Sequence, residues 1–407
     1  MSLAGKQSSG ADREPAMSVH DPVRFAADLS AKLATRSRHI CLFLGAGMAR
    51  ACGLPDIAQL RDRVLAQLSA GDRDALAKQL AGRNLEEALT RLRRISALLS
   101  DEQTIDGLTA LRSKAVDGAV CQAIVKELDI HAADLVPVCH LAAWVARAGY
   151  RLPIEIFTVN YDLLLETALE RLSVPYFDGF LGNLQARFHT ELVEATPGLD
   201  AEAVPAFFVR LWKLHGSVNW SWQNDRQIVR LGQPVSEGDA AAIYPSDTKY
   251  EESRRVPFVV LQDRFRRALN QSETLVIVAG YSFGDAHLNE MLFDAATRRE
   301  RSEFVVFCHS QIPAPLAERA ATTPNLQVVT GKEAILGGVR ADWSPSDATS
   351  SDLWENNQFT LRDFRSLAAH LARSAAPESR ADATIRELIA AAGLKSPEKD
   401  SGQNGGT

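Results

Sequence analysis

This chain has no pair of cysteines two residues apart, and its five cysteines (Cys41, Cys52, Cys121, Cys139, Cys308) are scattered and odd in number. That excludes a disulfide framework, which needs even sets at ordered spacings. Cys41 and Cys308 lie in apolar runs, where a thiol behaves as a small buried hydrophobe. The chain also lacks an apolar stretch of ~20 residues and a signal peptide, so a cytoplasmic location is expected and membrane insertion is not. It has no excess of basic charge either: 45 Lys and Arg against 51 Asp and Glu give a net charge of -6. Direct coating of nucleic acid requires a concentrated basic surface and is not expected. The arginine cluster Arg91, Arg93 and Arg94 is interleaved with Glu86 and Glu87, which reads as a solvated or partner-facing helix.

What is present describes a soluble, globular protein: 46% hydrophobic and 24% charged residues over 407 positions. Single cores rarely exceed ~250–300 residues, so one large domain with an inserted module is expected. Residues 1–22 read as a flexible leader, and 346–407 as a C-terminal helix (Thr360 to Arg373) followed by a polar tail with one short helix (Ala381 to Ala392). Between them, over 23–345, short apolar runs alternate with helical patterns. This is the signature of an α/β fold, a doubly wound, Rossmann-like parallel sheet covered on both faces.

Strands are expected at His39 to Leu44, Ile154 to Val159, Val209 to Leu214, Thr274 to Ala279, Glu303 to Cys308 and Leu326 to Thr330. Helices are expected at Tyr161 to Leu172, Asp285 to Arg299 and Pro313 to Ala321. Residues 57–150 carry only helical spacing, such as Leu85, Ala88, Leu89 and Leu92, and read as an inserted helical module. VNWSW and RQIVRL, flanking Gln223, Asn224 and Asp225, alternate as a β-hairpin that leads into the loop Ile243 to Glu252.

Four separated segments carry candidate chemistry: FLGAGMARACGLPD (Phe43 to Asp56), FTVNYD (Phe157 to Asp162), KLHGS (Lys213 to Ser217) and AGYSFGDAHLN (Ala279 to Asn289). Gly45, Ala46 and Gly47 follow a strand and precede a helix, where backbone can approach a pyrophosphate at a helix N-terminus. The third glycine of a dinucleotide fingerprint is Arg50 here, so the segment taken alone reads as a plain tight turn, and only its company with the other segments points to a phosphate site. Asn160 and Asp162 fall at the carboxyl edge of the sheet, where open α/β folds bind ligands, or serve as a helix cap and a first-turn carboxylate. His215 ends a strand, with Gly216 leaving room beside the imidazole. It is either a hydrogen-bonded core residue or a general base, being the titratable group of these segments whose intrinsic pKa lies near neutrality. Asp285 can cap the helix that follows it, while His287 and Asn289 read as packing residues of its first turn.

In this order the four segments resemble the sirtuin family of NAD-consuming enzymes, over about Arg24 to Asp342. Thr158, Asn160 and Asp162 match the family's T-x-N-x-D segment, which places the Asn beside the nicotinamide ribose. His215 matches the histidine of the H-G motif, which acts as a base on the ribose hydroxyls. The resemblance implies that Gly280 and Ser282 contact the cofactor's ribose or phosphate and that Asp56 positions the nicotinamide amide. The implied reaction is cleavage of the bond between nicotinamide and ribose, with NAD as substrate.

Protein-deacylating sirtuins carry two C-x-x-C pairs after the H-G motif for a structural zinc. Here no cysteine follows His215 until Cys308, so no zinc is expected and the hairpin Val218 to Leu231 stands in that place. Ala49 replaces the serine of G-A-G-x-S, and Ile57 and Ala58 replace the aromatic-basic pair after P-D. A zinc-free core with a helical insertion resembles the sirtuin-like NAD-hydrolysing proteins of bacterial antiphage defence, which work in assemblies. That likeness implies a homo-oligomer or a separate partner, a HerA-type ATPase first and a short Argonaute second. An NAD-dependent protein deacylase or ADP-ribosyltransferase, and a non-catalytic NAD or ADP-ribose sensor, are the alternative readings.

Overall fold

The computed structural model describes residues 19–100, 103–195, 209–223, 227–236, 241–243, 256–347 and 349–374. Most of the expected leader, the helix expected at Ala381 to Ala392, the hairpin turn at Asn224 and Asp225, and nearly all of the loop after Ile243 lie outside these residues.

In chain order the strands are β1 (His39–Leu44), β2 (Glu155–Thr158), β3 (Tyr176–Phe177), β4 (Phe180–Leu181), β5 (Gln185–Phe188), β6 (Val209–Lys213) and β7 (Gly216–Gln223). They continue with β8 (Gln227–Leu231), β9 (Ala241–Ile243), β10 (Thr274–Ala279), β11 (Glu303–Phe307), β12 (Leu326–Val329), β13 (Glu333–Leu336), β14 (Val339–Asp342) and the separate antiparallel pair β15 (Trp354–Glu355) and β16 (Gln358–Phe359). Nine of them form one sheet in the order β14-β13-β12-β11-β10-β1-β2-β6-β3. The seven from β12 to β3 are parallel, and the β13–β14 hairpin adds an antiparallel edge. The chain starts in the middle at β1, steps outward to β2 and β6, then returns to the other side of β1 at β10 and proceeds to β12. This is the doubly wound, Rossmann-like arrangement, with its switch point at β1.

The central strands are apolar without interruption because both faces are covered. In β1, Ile40, Leu42 and Leu44 enter one core while Cys41 and Phe43 enter the other, and β10 divides likewise into Leu275, Ile277 and Ala279 against Val276 and Val278. On the first face lie the helices Pro22–Ala34, Val136–Arg147, Leu164–Arg171 and Phe364–Ser374; on the second lie Phe258–Leu269, Ala286–Arg298 and Ala314–Thr322. The second core is aromatic, with Phe43 and Phe157 each 4.9 Å from the ring of Phe265. All five cysteines are buried and free.

The β1–β2 connection contains the helices Ile57–Gln67, Ala70–Leu80, Leu85–Leu98 and Ala110–Glu127 before the crossover helix Val136–Arg147. Their starts are encoded locally. Asp56 and Asn84 each form a capping box with Gln59 and Glu87, and Ser69 and Thr109 accept amides three residues on. The C-terminal helix Phe364–Ser374 follows a short 3-10 turn over Thr360–Arg362 and joins the first core through Leu367 and Leu371. Arg147 donates to the Ala372 carbonyl at 2.7 Å and Arg365 to Asp134 at 2.7 Å, which fasten this helix to the crossover.

The expected hairpin is β7 and β8, in register from Trp220↔Arg230 to Gln223↔Gln227. It belongs to a larger antiparallel sheet of five strands, β4-β5-β8-β7-β9. Among the described residues, no helix is long and apolar enough to cross a membrane.

Candidate functional site

The carboxyl ends of β1, β2, β6, β10 and β11 open on one cleft of about 610 Å³. Its wall includes Ala46, Gly47, Asp56, Asn160, Asp162, His215, Gly280 and Ser282. This is the switch point of the sheet, where neighbouring connections depart to opposite faces and leave a crevice. The size is that of an ordinary small-molecule site, ~300–1,000 Å³.

Two glycine turns interlock at its floor. Gly45 donates to the Ala279 carbonyl at 3.0 Å and Gly47 to the Gly280 carbonyl at 2.8 Å. A Cβ on Gly45 would stand 2.6 Å from the Gly280 oxygen, and one on Gly47 would stand 2.6 Å from the Gly280 Cα. Gly280 itself has φ +67, and its Cβ would meet the Met48 nitrogen at 2.6 Å. The glycines are therefore required first by backbone packing between β1 and β10. The helix after the first turn is short, Ala46–Ala51, and the Gly47 amide is already engaged by Gly280.

Asn160 is buried, and its orientation is set on two sides. Its amide N–H donates to Thr158 Oγ1 at 3.0 Å, and its side-chain Nδ2 donates to the Gly45 carbonyl at 3.1 Å. Thr158 in turn donates to the Leu44 carbonyl at 2.9 Å. These bonds leave the Asn160 carbonyl oxygen to accept from a ligand hydroxyl or a water at the cleft wall.

Asp162 accepts from the Leu164 amide at 3.0 Å, which starts the helix Leu164–Arg171. Burial pushes its carboxyl up from 3.8 to about 6, against the opposing pull of Lys213. Lys213 is buried beneath this loop, with its ammonium on Glu166 at 2.8 Å, Ser217 Oγ at 2.8 Å and the carbonyls of Tyr161 and Asp162. This network ties the loop after β2 to the end of β6.

His215 follows β6, is buried, and lines the cleft. Its Nε2 lies 3.3 Å from Asp285 Oδ2 without hydrogen-bond alignment, so neither ring nitrogen has a hydrogen-bond partner among the described residues. The lack of a side chain at Gly216 makes room for strand β9 rather than for the imidazole. With φ +91, a Cβ there would stand 2.0 Å from the Ala242 carbonyl oxygen.

Asp56 lies at the cleft as the cap of Ile57–Gln67, 3.6 Å from Arg50. Ser282 is exposed on the cleft wall. Asn289 accepts from Tyr281 OH at 2.9 Å and donates to the Phe283 carbonyl at 2.8 Å, so it braces the turn Gly280 to Asp285. His287 is exposed outside the cleft lining.

Sequence reasoning missed three contributions. Asp285 does cap its helix, through Oδ1 to the amides of His287 and Leu288, but its second oxygen faces His215. Asn84, Glu86 and Glu87 bring the helical connection into the cleft rim, where Glu86 accepts from Tyr161 OH at 3.0 Å. His309, Ser310 and Gln311, after β11, complete the wall. The first omission was avoidable, since a carboxylate has an oxygen to spare when one caps a helix. The others depend on how distant elements meet.

The fold and cleft define an open α/β protein with a cleft at the switch point of a Rossmann-like sheet. Residues 154–328, less than half of the chain, match the family model described as SIR2-like domain, a similarity that supports a sirtuin-like family and suggests NAD-related function in general. The matched span contains Asn160, His215 and Gly280, while Gly45 precedes it and reaches it through the glycine interlock. No curated protein matches the chain. Among the described residues, no group of three or more His, Cys, Asp or Glu is placed to hold a metal ion.

Proposed function

We propose that this chain is an NAD glycohydrolase that cleaves NAD to nicotinamide and ADP-ribose and serves as an antiphage effector controlled by assembly or by a partner. The reading is carried by one observation: Asn160 and His215, from separate strand ends, line the same cleft as the two interlocked glycine turns. The SIR2-like match over 154–328 supports NAD as the ligand.

Nicotinamide in NAD is a cationic leaving group, so breaking its glycosidic bond needs no strong general acid; the bond's electron pair departs with the ring. The positive charge that grows on the ribose resembles that of other glycosidic cleavages. Asn160, fixed by Thr158 and Gly45, offers its side-chain oxygen to a ribose hydroxyl or to the attacking water. His215 accepts the proton as the water oxygen bonds to the ribose carbon. Asp56 and Ser282 are assigned to the nicotinamide amide and to the ribose or phosphate.

Control by a homo-oligomer, or by a separate protein such as a HerA-type ATPase or a short Argonaute, belongs to the same proposal. Its basis is the resemblance to defence NADases, together with the helical rim through which an outside contact can reach the cleft. The test is nicotinamide release from NAD by the purified chain, alone and with the neighbouring gene's product, beside Asn160→Ala and His215→Ala. Release that disappears in both variants is expected. Tight NAD binding with no release under any condition would replace the hydrolase with a sensor.

A further inference from the structure

We propose that Asp285 is the positioning residue that fixes the tautomer of His215, holding its hydrogen on Nε2 and leaving Nδ1 as the basic nitrogen of the cleft. The kinetic part rests on the NAD-cleaving reading; the tautomer does not.

The argument begins with how the carboxylate is mounted. Oδ1 accepts from the amides of His287 at 2.9 Å and Leu288 at 3.2 Å, which fixes the rotation of the group. The turn that delivers it is braced by Asn289 on Tyr281 and Phe283, with Phe283 held at φ +60. Oδ2 thereby stands 3.3 Å from His215 Nε2, near enough for a small turn of the ring to align a hydrogen bond, with both side chains almost wholly buried.

An ionised carboxylate only accepts, so the neutral imidazole satisfies it by carrying its single hydrogen on Nε2. Nδ1 then holds the lone pair. Both ring nitrogens are buried without an aligned hydrogen-bond partner among the described residues; Nε2 has the Asp285 carboxylate 3.3 Å away to take its hydrogen, whereas leaving Nδ1 without a partner is costly unless a ligand uses it. A ligand hydroxyl or water in the cleft would satisfy this nitrogen, which makes Nδ1 the site of proton acceptance.

Asp285→Asn separates the two duties of the residue. The amide oxygen must remain on the helix amides as the cap, which turns the NH2 toward His215. Nε2 must then accept, and the hydrogen moves to Nδ1, where it blocks the base.

The measurement is the imidazole nitrogen spectrum of the full chain labelled with 15N-histidine, with His215 assigned by its absence in His215→Gln. It is recorded for the native chain and Asp285→Asn at a pH where the ring is neutral. The native chain should show the Nε2–H form, and Asp285→Asn the Nδ1–H form. NAD turnover should fall on the order of 100-fold in kcat, with KM within about threefold. A native chain in the Nδ1–H form overturns the proposal even if the variant fails to fold, and so does a folded variant that keeps the native tautomer. If the tautomer switches but no protein releases nicotinamide, the positioning role stands and the hydrolase reading falls.

Discussion

Replacing Gly280 with alanine tests the glycine interlock on which the cleft rests. The substitution adds one methyl group at a position with φ +67, where it would stand 2.6 Å from the Met48 nitrogen and 2.8 Å from the Gly47 Cα. Two costs follow. Holding an L-residue in the left-handed region costs roughly 1–2 kcal/mol, and relieving a backbone overlap in a packed interior costs a further ~1–3 kcal/mol. A total of about 2–5 kcal/mol, in a chain of this size, lowers Tm by roughly 3–7 °C. The two turns must also part by several tenths of an ångström, because the neighbour is backbone and has no flexible end to swing away. That displacement carries Gly45, whose carbonyl orients Asn160, so NAD binding by calorimetry should weaken together with the melt. Gly53→Ala is the internal control: φ is +88, but nothing lies within 4 Å of the added methyl, so only the conformational cost remains and NAD binding should hold. If Gly280→Ala melts within about 1 °C of the native chain, or no lower than Gly53→Ala, the close approach of the two turns is wrong.

Lys213→Met should be severely destabilising, by ~3–5 kcal/mol, because it leaves the part-buried Glu166 without its cation and removes the buried donor to the carbonyls of Tyr161 and Asp162; urea unfolding would read this directly. The raised carboxyl of Asp162 gives a pH signature. The folded state binds this proton more tightly than the unfolded chain, so Asp162 subtracts stability as pH rises from about 4 to about 6. Asp162→Asn should flatten that part of the stability curve in denaturant titrations. Asp178, also raised to about 6 by burial against the pull of Arg230, should keep part of the slope in that variant.

The parallel sheet was legible because each central strand is a short apolar run followed by a helical pattern. The runs at His39 to Leu44 and Thr274 to Ala279 coincide with β1 and β10. Pairing order was not legible in such runs, since any two parallel apolar strands can lie side by side. The second sheet was harder still. β4 has two residues and β5 four, too short for alternation to register; β5 is a strand because β8 lies beside it, and β4 because β5 does. The hairpin β13–β14 was missed for a related reason: its turn, Gly337–Gly338, follows a run with little alternation, and its place is set by the edge of β12. At the cleft, sequence singled out Gly47, Asn160, His215 and Gly280 in ordered segments, but two of the reasons differ. Gly47 and Gly280 accommodate each other, and Gly216 accommodates Ala242.

The central strand β1 pairs with β10 across a sequence separation of 235 residues, measured from His39 to Thr274. A ribosome therefore makes more than half of this chain before the floor of the cleft can close. Until β10 emerges, the first glycine turn lacks the backbone that positions it, and Asn160 hangs from an unanchored carbonyl. Fragments that end between His215 and Gly280, whether from stalled synthesis or from proteolysis, contain both Asn160 and His215 yet lack the backbone that closes the pocket floor. For a protein proposed to destroy a cofactor its own cell needs, that order of manufacture withholds the cleft from every copy that stops short of β10.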